Sequence, residues 1–251
     1  IEDNKPECIA RYRELVKNEQ NMEVMPLKAM YPQGGEKVLI YHVTGEKVPE
    51  GKLPLDVGAV VLNCTTISSI ARYCRTGLPL VKKCVTVDGS AVKNPMNVLV
   101  PIGTRMKDVF EATGGFKEEP KMVLYGGPMM GIAVPDLEQP ILKNTNAILA
   151  FGEAEATPPE PTACIKCGKC IAHCPLSLMP CEMETAYKKG NIERLMHLKV
   201  NLCMECGCCS FICPAHRPLV QTNKLAKAQV MAYKNALKAK AEAEKQKEAA
   251  K

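Results

Sequence analysis

The sequence predicts three structural units in a row: an α/β segment, a small β-grasp-like domain, and a helical segment that carries two cysteine-rich motifs. Three observations lead to this order. Strand-like and helix-like runs alternate over residues 1–78, and short β-rich runs bounded by Gly, Pro and Asn follow over residues 79–151. After residue 163, eight of the 14 cysteines fall into two copies of one spacing.

The first unit, residues 1–78, reads as the C-terminal part of an α/β domain. Apolar residues at helical spacing predict a helix from Ile9 to Val16. The apolar run VGAVVL at 57–62 has the length of a buried strand, and TTISSIARYCRT after it predicts a helix that ends at Gly77.

The second unit, residues 79–151, contains the strand-like runs VKKCVTVDG, NVLVPIG and KMVLYGG. One helix-like run, MKDVFEATGG, lies between the second and the third. This content suits a β-grasp-like (SLBB) domain that ends near Phe151. GEAEATPPEPTA at 152–163 offers no apolar period for packing, so we expect a linker there.

The third unit, residues 164–223, contains CIKCGKCIAHCP and, 39 positions later, CMECGCCSFICP. Both read C-x2-C-x2-C-x3-C-P, the run that holds [4Fe-4S] clusters in two-cluster ferredoxins. The eight cysteines are Cys164, Cys167, Cys170 and Cys174 in the first motif and Cys203, Cys206, Cys209 and Cys213 in the second. Between the motifs, EMETAYKKG and NIERLMHLK predict two short helices, so we expect a helical ferredoxin-like fold.

Three cysteines spaced by two residues allow one short loop to offer thiolates to three irons of a cube, and the fourth iron needs a ligand from elsewhere. In paired motifs the fourth Cys of each run ligates the other cluster. The two predicted ligand sets are therefore Cys164, Cys167, Cys170 and Cys213 for one cube and Cys203, Cys206, Cys209 and Cys174 for the other. Cys181 and Cys208 lie beside these motifs, and we expect them to pack against the cluster ligands or to adjust their surroundings. Replacement of a damaged ligand is the other role open to both.

Zinc and disulfides are the alternatives to iron. Structural zinc sites pair two separated C-x2-4-C elements around one ion, whereas each motif here has a third Cys at the same interval and a fourth before Pro. Disulfides suit secreted chains, and nothing in the sequence resembles a secretory signal. Two [4Fe-4S] clusters fit the spacing better than either.

Composition limits the partners. The chain has no Trp and four Phe, which weakens a nucleic-acid role based on stacked bases. Its formal charge of +6 counts the cysteines as neutral, so thiolate-bound clusters would bring it near neutrality. No run reaches the roughly 18 apolar residues of a membrane span. The Lys-, Ala- and Glu-rich tail, residues 224–251, predicts a solvated helix.

Four segments together resemble the RnfC family of the Rnf electron-transport complex: IEDNKPE at 1–7, YPQGGEK at 31–37, YGGPMMGIAVPDL at 125–137, and the paired cysteine motifs. The resemblance implies a peripheral protein on the cytoplasmic side of the cell membrane. It also implies a role in a complex that couples electron flow between ferredoxin and NAD+ to Na+ or H+ translocation, with the other subunits and NAD(H) as partners. Because cofactors carry such chemistry, no catalytic acid or base is expected.

The family in turn resembles the flavin-bearing, NADH-binding subunit of respiratory complex I. That resemblance implies FMN and NAD(H) as further cofactors and places Gly35, Glu36 and Asn63 at their site. It also implies a glycine-rich flavin loop before residue 1, so we expect the flavin site of these 251 residues to be incomplete. Two other functions remain open from the sequence: an NADH-dependent cobalamin reductase, and a non-catalytic two-cluster electron relay.

Overall fold

A computed structural model describes residues 1–249, and the part up to residue 78 is helical. Its elements are α1 (Pro6–Val16), α2 (Glu36–Thr44), a 3-10 turn (Pro54–Val57) and α3 (Cys64–Thr76). As predicted, α3 ends at Gly77, which has a φ of 68° and donates its N–H to the carbonyl oxygen of Tyr73. A residue without a side chain adopts this left-handed conformation at no steric cost.

The buried strand predicted at 57–62 is wrong. Residues 58–63 have no regular structure, and Val60 is 72% exposed. The backbone pairing within residues 1–78 of the described chain is a single bridge between Glu2 and Leu27. An apolar run signals a tendency to avoid water, but a strand also needs a neighbour for its hydrogen bonds, and these residues have none within the described range. The α/β layering predicted for residues 1–78 is therefore not seen.

The second part is a mixed five-stranded sheet. Its strands are β1 (Lys82–Asp88), β2 (Met96–Pro101), β3 (Met122–Tyr125), β4 (Ile132–Ala133) and β5 (Ala147–Phe151), in the order β2-β1-β5-β3-β4. β1 runs parallel to β5, with Val87 opposite Ile148, and the other neighbours are antiparallel. The three predicted strands are confirmed, whereas β4 and the central β5 were not predicted.

Helix α4 (Met106–Ala112) covers this sheet, also as predicted. Met106 and Phe110 from α4 share a core with Val85 and Val87 of β1 and Ile148 of β5, and all five are at least 99% buried. Along β1 every second side chain is buried, the period expected of a strand with one face on a core.

The third part is helical. Its elements are a short α5 (Glu153–Ala156) in the expected linker, then α6 (Lys169–Ala172), α7 (Pro180–Lys188), α8 (Ile192–His197), a 3-10 turn (Val200–Leu202), α9 (Cys208–Phe211) and α10 (Leu219–Ala249). The two helices predicted between the cysteine motifs are confirmed as α7 and α8. Met183 of α7, Leu195 of α8 and Ala226 of α10 are fully buried together and form a second core.

Helix α10 runs without a break through residue 223, where the sequence predicted a boundary. Its first turns pack against the cysteine segment, with Leu219, Asn223 and Val230 buried, so they belong to that part of the fold. The predicted helical tail is seen as far as residue 249, and residues 250 and 251 lie outside the described range. None of the helices within residues 1–249 combines the length and apolarity needed to cross a membrane.

Candidate iron–sulfur sites

The two cysteine motifs adopt the same backbone conformation 39 residues apart. Positive φ angles recur in three pairs at equivalent positions: Lys166 and Glu205, Gly168 and Gly207, Ser177 and His216. The short helices α6 and α9 and the first residues of α7 and α10 follow the same shift. Left-handed residues within a loop turn successive backbone N–H groups towards one concave side, an arrangement that recurs at anion and iron–sulfur sites.

The fourth cysteine of each motif lies at the other motif's loop. The first hollow holds about 370 Å³ and is lined by Cys164, Cys167, Cys170 and, from the second motif, Cys213. The second hollow is lined by Cys203, Cys206, Cys209 and, from the first motif, Cys174. Each hollow is also lined by one further cysteine, Cys181 in the first and Cys208 in the second. That the two predicted sets bind clusters stays a prediction. The second hollow is the narrower of the two, with about 20 Å³ accessible to water.

Burial of the sulfur groups differs between the two hollows. In the first, Cys164 and Cys167 are exposed and Cys170 is buried. In the second, Cys206 and Cys209 are both buried. The first hollow is therefore open to solvent along one loop, whereas the second lies against the rest of the protein.

Polar groups of the chain point at the cysteine sulfurs of the second hollow. The N–H of Leu178 donates to Cys174 Sγ at 3.3 Å, and the side-chain amide of Asn223 donates to Cys203 Sγ at 3.8 Å. The backbone N–H of Glu205 also hydrogen-bonds to Cys203. Hydrogen bonds to the sulfurs are one of the means by which a protein sets the potential of a cluster.

The crowding of thiols has an electrostatic cost. Burial, followed by the nearby Cys203 and Cys206, raises the pKa of Cys209 to about 12. Burial and the adjacent Cys181 raise the pKa of Cys170 to about 11. Without a positive charge in the hollow these groups hold their protons, and bound iron would supply that charge. The donor set therefore fits an iron–sulfur cube.

Within residues 1–249, no three His, Cys, Asp or Glu side chains come together closely enough to hold a single metal ion. The thiolates of a cube bind four different irons, so they lie further apart than four ligands of one ion.

The second loop also contacts both other parts of the chain. Tyr31 Oη donates to the carbonyl oxygen of Cys206 at 2.6 Å, and the Met204 methyl group lies against Gly35. A Cβ at Gly207, which has a φ of 84°, would lie 2.7 Å from the carbonyl oxygen of Met129 in the loop between β3 and β4. The second hollow is thus the one nearest to the YPQGGEK segment.

The three residues implied for flavin and NAD(H) do not line either cysteine hollow. Gly35 precedes the first residue of α2, and Glu36 is that first residue and is exposed. Asn63 is also exposed, and its Oδ1 accepts the N–H of Thr65 at 2.9 Å, so it caps α3. Their roles at a nucleotide site stay predictions.

A different set of residues lines a hollow of about 680 Å³ between α2 and the first cysteine motif. Lys37, Tyr41, His42 and Lys47 line it on one side, and Cys174 lies on the other. The sequence reasoning missed these four as site residues. The helical periodicity of α2 could have predicted two of them, because residues 37 and 41 are four positions apart and lie on the same face of the helix.

Comparison with known proteins gives two domain matches and a set of relatives. Residues 1–72 match the Nuo51 FMN-binding domain, and residues 84–133 match the SLBB domain. The second match confirms the β-grasp-like (SLBB) prediction for the part that contains the sheet.

The C subunit of a proton-translocating ferredoxin:NAD(+) oxidoreductase complex from Clostridium ljungdahlii is 43% identical over 180 residues, 72% of this chain and 39% of that protein. The C subunit of the Na(+)-translocating complex from Acetobacterium woodii is 39% identical over 234 residues, 93% of this chain and 53% of that protein. The C subunit of the ion-translocating oxidoreductase complex from Rhodobacter capsulatus is 37% identical over 233 residues, 92% of this chain and 44% of that protein. The chain therefore spans about half the length of the curated relatives it matches.

Proposed function

The chain belongs to the RnfC family of the ion-translocating oxidoreductase complexes, and we propose that it carries electrons in a membrane-bound ferredoxin:NAD+ oxidoreductase. Two [4Fe-4S] clusters relay the electrons to flavin and NAD, and the complex couples this flow to Na+ or H+ translocation. The chain lies on the cytoplasmic side of the membrane and is held there by other subunits of the complex. Ferredoxin is an indirect partner.

The observation that carries this proposal is the crossed arrangement of the cysteines. Each hollow takes three cysteines from one motif and the fourth from the other, as two-cluster ferredoxins require. A disulfide role gives no reason for four cysteines to line one hollow, and no three Cys, His, Asp or Glu side chains within residues 1–249 lie close enough to hold a single zinc ion. When bound, each cube supplies one-electron chemistry. The chain supplies the thiolates, the surrounding N–H groups and the apolar walls that exclude water from the second site.

FMN and NAD(H) fit the hollow beside α2 by the chemistry of its lining. Lys37 and Lys47 offer positive charge to phosphate groups, and Tyr41 offers an aromatic face. The lysine ammonium of Lys47 lies 5.5 Å from the centre of the Tyr41 ring. The match of residues 1–72 to the Nuo51 FMN-binding domain supports the same assignment. Cys174 lines both this hollow and the second cysteine hollow, which gives electrons a short route between them.

A test of the crossed ligand sets compares four single substitutions. The background is a chain in which the two extra thiols are removed by Cys181→Ala and Cys208→Ala, so that neither can replace a ligand. After anaerobic reconstitution this background should hold roughly eight irons and eight sulfides. Cys164→Ala and Cys213→Ala should then leave the same single cluster, with one shared EPR spectrum. Cys203→Ala and Cys174→Ala should leave the other.

If Cys213→Ala and Cys203→Ala instead gave the same spectrum, each motif would bind its own cube and the crossed assignment would be wrong. If the background held no iron and sulfide in a 1:1 ratio, the cluster proposal itself would fail.

A second candidate, an electron relay that binds no nucleotide, is favoured by one observation: Gly35, Glu36 and Asn63 do not line the hollow beside α2. An anaerobic EPR titration with NADH, with and without FMN, separates the two, with dithionite as the control for full reduction. Cluster reduction by NADH in the presence of FMN supports the oxidoreductase. Reduction by dithionite alone supports the relay.

A further inference from the structure

Cys181 is a fifth thiol at the first cysteine hollow. It is the second residue of α7, which begins at Pro180, and it lines the hollow together with Cys170. The two side chains also pack in one apolar cluster. Cys181 is half-buried, whereas Cys170 is buried. The sulfur of Cys181 therefore lies beside the position that the third cysteine of the first motif would occupy as a ligand.

The second hollow has no thiol at the equivalent place. Shifted by 39 positions, residue 181 corresponds to Val220, the second residue of α10. Val220 packs in the same cluster as Cys209 and lines the second hollow. The backbone conformation is thus repeated, while position 181 of the first site is a thiol and its counterpart, position 220, is an isopropyl group. The second hollow has its own extra thiol, Cys208, at a different position, directly before Cys209.

We propose that Cys181 is a reserve ligand of the first site, able to replace Cys170 at its iron. This rests on the proposed function, because it takes the first hollow to hold a [4Fe-4S] cluster. In the exchange the bond from the Cys170 sulfur to its iron breaks and that sulfur takes up a proton, while the Cys181 sulfur gives up its proton and bonds to the same iron. No electron is transferred.

The test measures iron and acid-labile sulfide per chain after anaerobic reconstitution. The unchanged chain and Cys181→Ala should each hold roughly eight irons. Cys170→Ala should also hold roughly eight, because Cys181 takes its place. The double variant Cys170→Ala/Cys181→Ala should hold roughly four, and those four irons at the second site show that the variant still folds. The expected effect of Cys181 is thus a twofold difference in iron content in the Cys170→Ala background.

A matched variant moves the thiol to the other site. Cys208→Ala/Cys209→Ala removes the third ligand and the adjacent extra thiol of the second motif, and it should hold roughly four irons. Adding Val220→Cys to that variant should restore roughly eight, because position 220 lies against Cys209 as position 181 lies against Cys170. If the iron content of the variant with Val220→Cys stayed at about four, a thiol at this position would not be able to replace the third ligand, and the proposal would be overturned.

The reserve role would be overturned if Cys170→Ala lost the first cluster or both clusters, or if Cys181→Ala alone lost iron. Either result would leave the proposed function intact as long as the unchanged chain held its eight irons. An unchanged chain without clusters would remove the proposed function and this inference together.

Discussion

The hydroxyl of Tyr31 donates a hydrogen bond of 2.6 Å to the backbone carbonyl oxygen of Cys206, a residue 175 positions further along the chain. This contact joins the YPQGGEK segment to the loop that forms the second cysteine hollow. Burial, followed by the charges of Cys206 and Cys208, raises the pKa of Tyr31 to about 12. The hydroxyl therefore keeps its proton and acts as a donor throughout the neutral range.

Tyr31→Phe should lower the free energy of unfolding by about 1 kcal/mol, the usual net contribution of one hydrogen bond. Urea unfolding of the reconstituted protein at pH 7 measures it. Tyr12→Phe is the control, because Tyr12 on α1 is 48% exposed and Tyr31 is 49% exposed. Equal losses in the two variants would mean that the contact to Cys206 adds no stability.

Arg217→Met should be much more damaging, because its guanidinium donates to the buried carboxylate of Glu184 at 2.7 Å. Burial alone would raise the pKa of Glu184, but the hydrogen bonds from Arg217 and Lys188 outweigh it and hold the pKa below its usual value. Removing one partner of a buried ion pair costs about 3 kcal/mol, since the other charge stays behind.

A double-mutant cycle at pH 7 checks this pair. Adding Glu184→Gln to Arg217→Met should recover part of the loss, because no unpaired charge remains. Lys188→Met is the control and should cost less than about 1 kcal/mol, since that ammonium is 61% exposed. Because the pKa of Glu184 is depressed in the folded state, the pair's contribution is present above the unfolded pKa of about 4.3 and is lost only as the pH falls through the folded value. Full additivity of the two substitutions would contradict a direct pair.

Gly207→Ala and Gly168→Ala form a matched test of the contact between the second loop and the sheet. Both glycines have positive φ, so either alanine should cost about 1 kcal/mol in backbone strain. At Gly168 a Cβ meets no other atom within 4 Å, whereas at Gly207 it would lie 2.7 Å from the carbonyl oxygen of Met129. We expect Gly207→Ala to cost about 2 kcal/mol more, because a backbone group must shift. Thermal denaturation followed by circular dichroism measures the difference, and equal midpoints would show that the loops do not press on each other.

Removal of iron by a chelator should affect the third part and spare the second. Bound iron would tie the two cysteine loops together through their thiolates, and its removal takes those bonds away. Hydrogen exchange followed by mass spectrometry should show faster exchange at 164–178 and 203–216 in the iron-free protein. Exchange at β1 and β5, which lie in the sheet core, should be unchanged. Equal exchange with and without iron at the two cysteine loops would mean that these loops fold independently of metal.

The sequence was most informative where the pattern itself contains the chemistry. The repeated cysteine spacing predicts two crossed ligand sets, and Cys174 and Cys213 each line the hollow beside the other motif's loop. That the eight cysteines bind clusters stays a prediction. The β-rich run VKKCVTVDG likewise predicted β1. Prediction failed where the structure depends on contacts with residues far away in the sequence. VGAVVL at 57–62 has the composition of a strand, but no neighbouring strand pairs with it within the described chain. The hydrogen bond from Tyr31 to Cys206 joins residues too far apart in the sequence for a local pattern to predict it.

The exchange of fourth cysteines has a consequence for the order of events during synthesis. Three of the four cysteines predicted for the first hollow have been made once the ribosome has added Cys170. The fourth, Cys213, is added 43 residues later. At about 5–20 residues per second, a ribosome needs roughly two to nine seconds to cover that stretch. Neither cube can be completed until nearly the whole cysteine segment has been made, so cluster loading should follow translation of both motifs and proceed as one event.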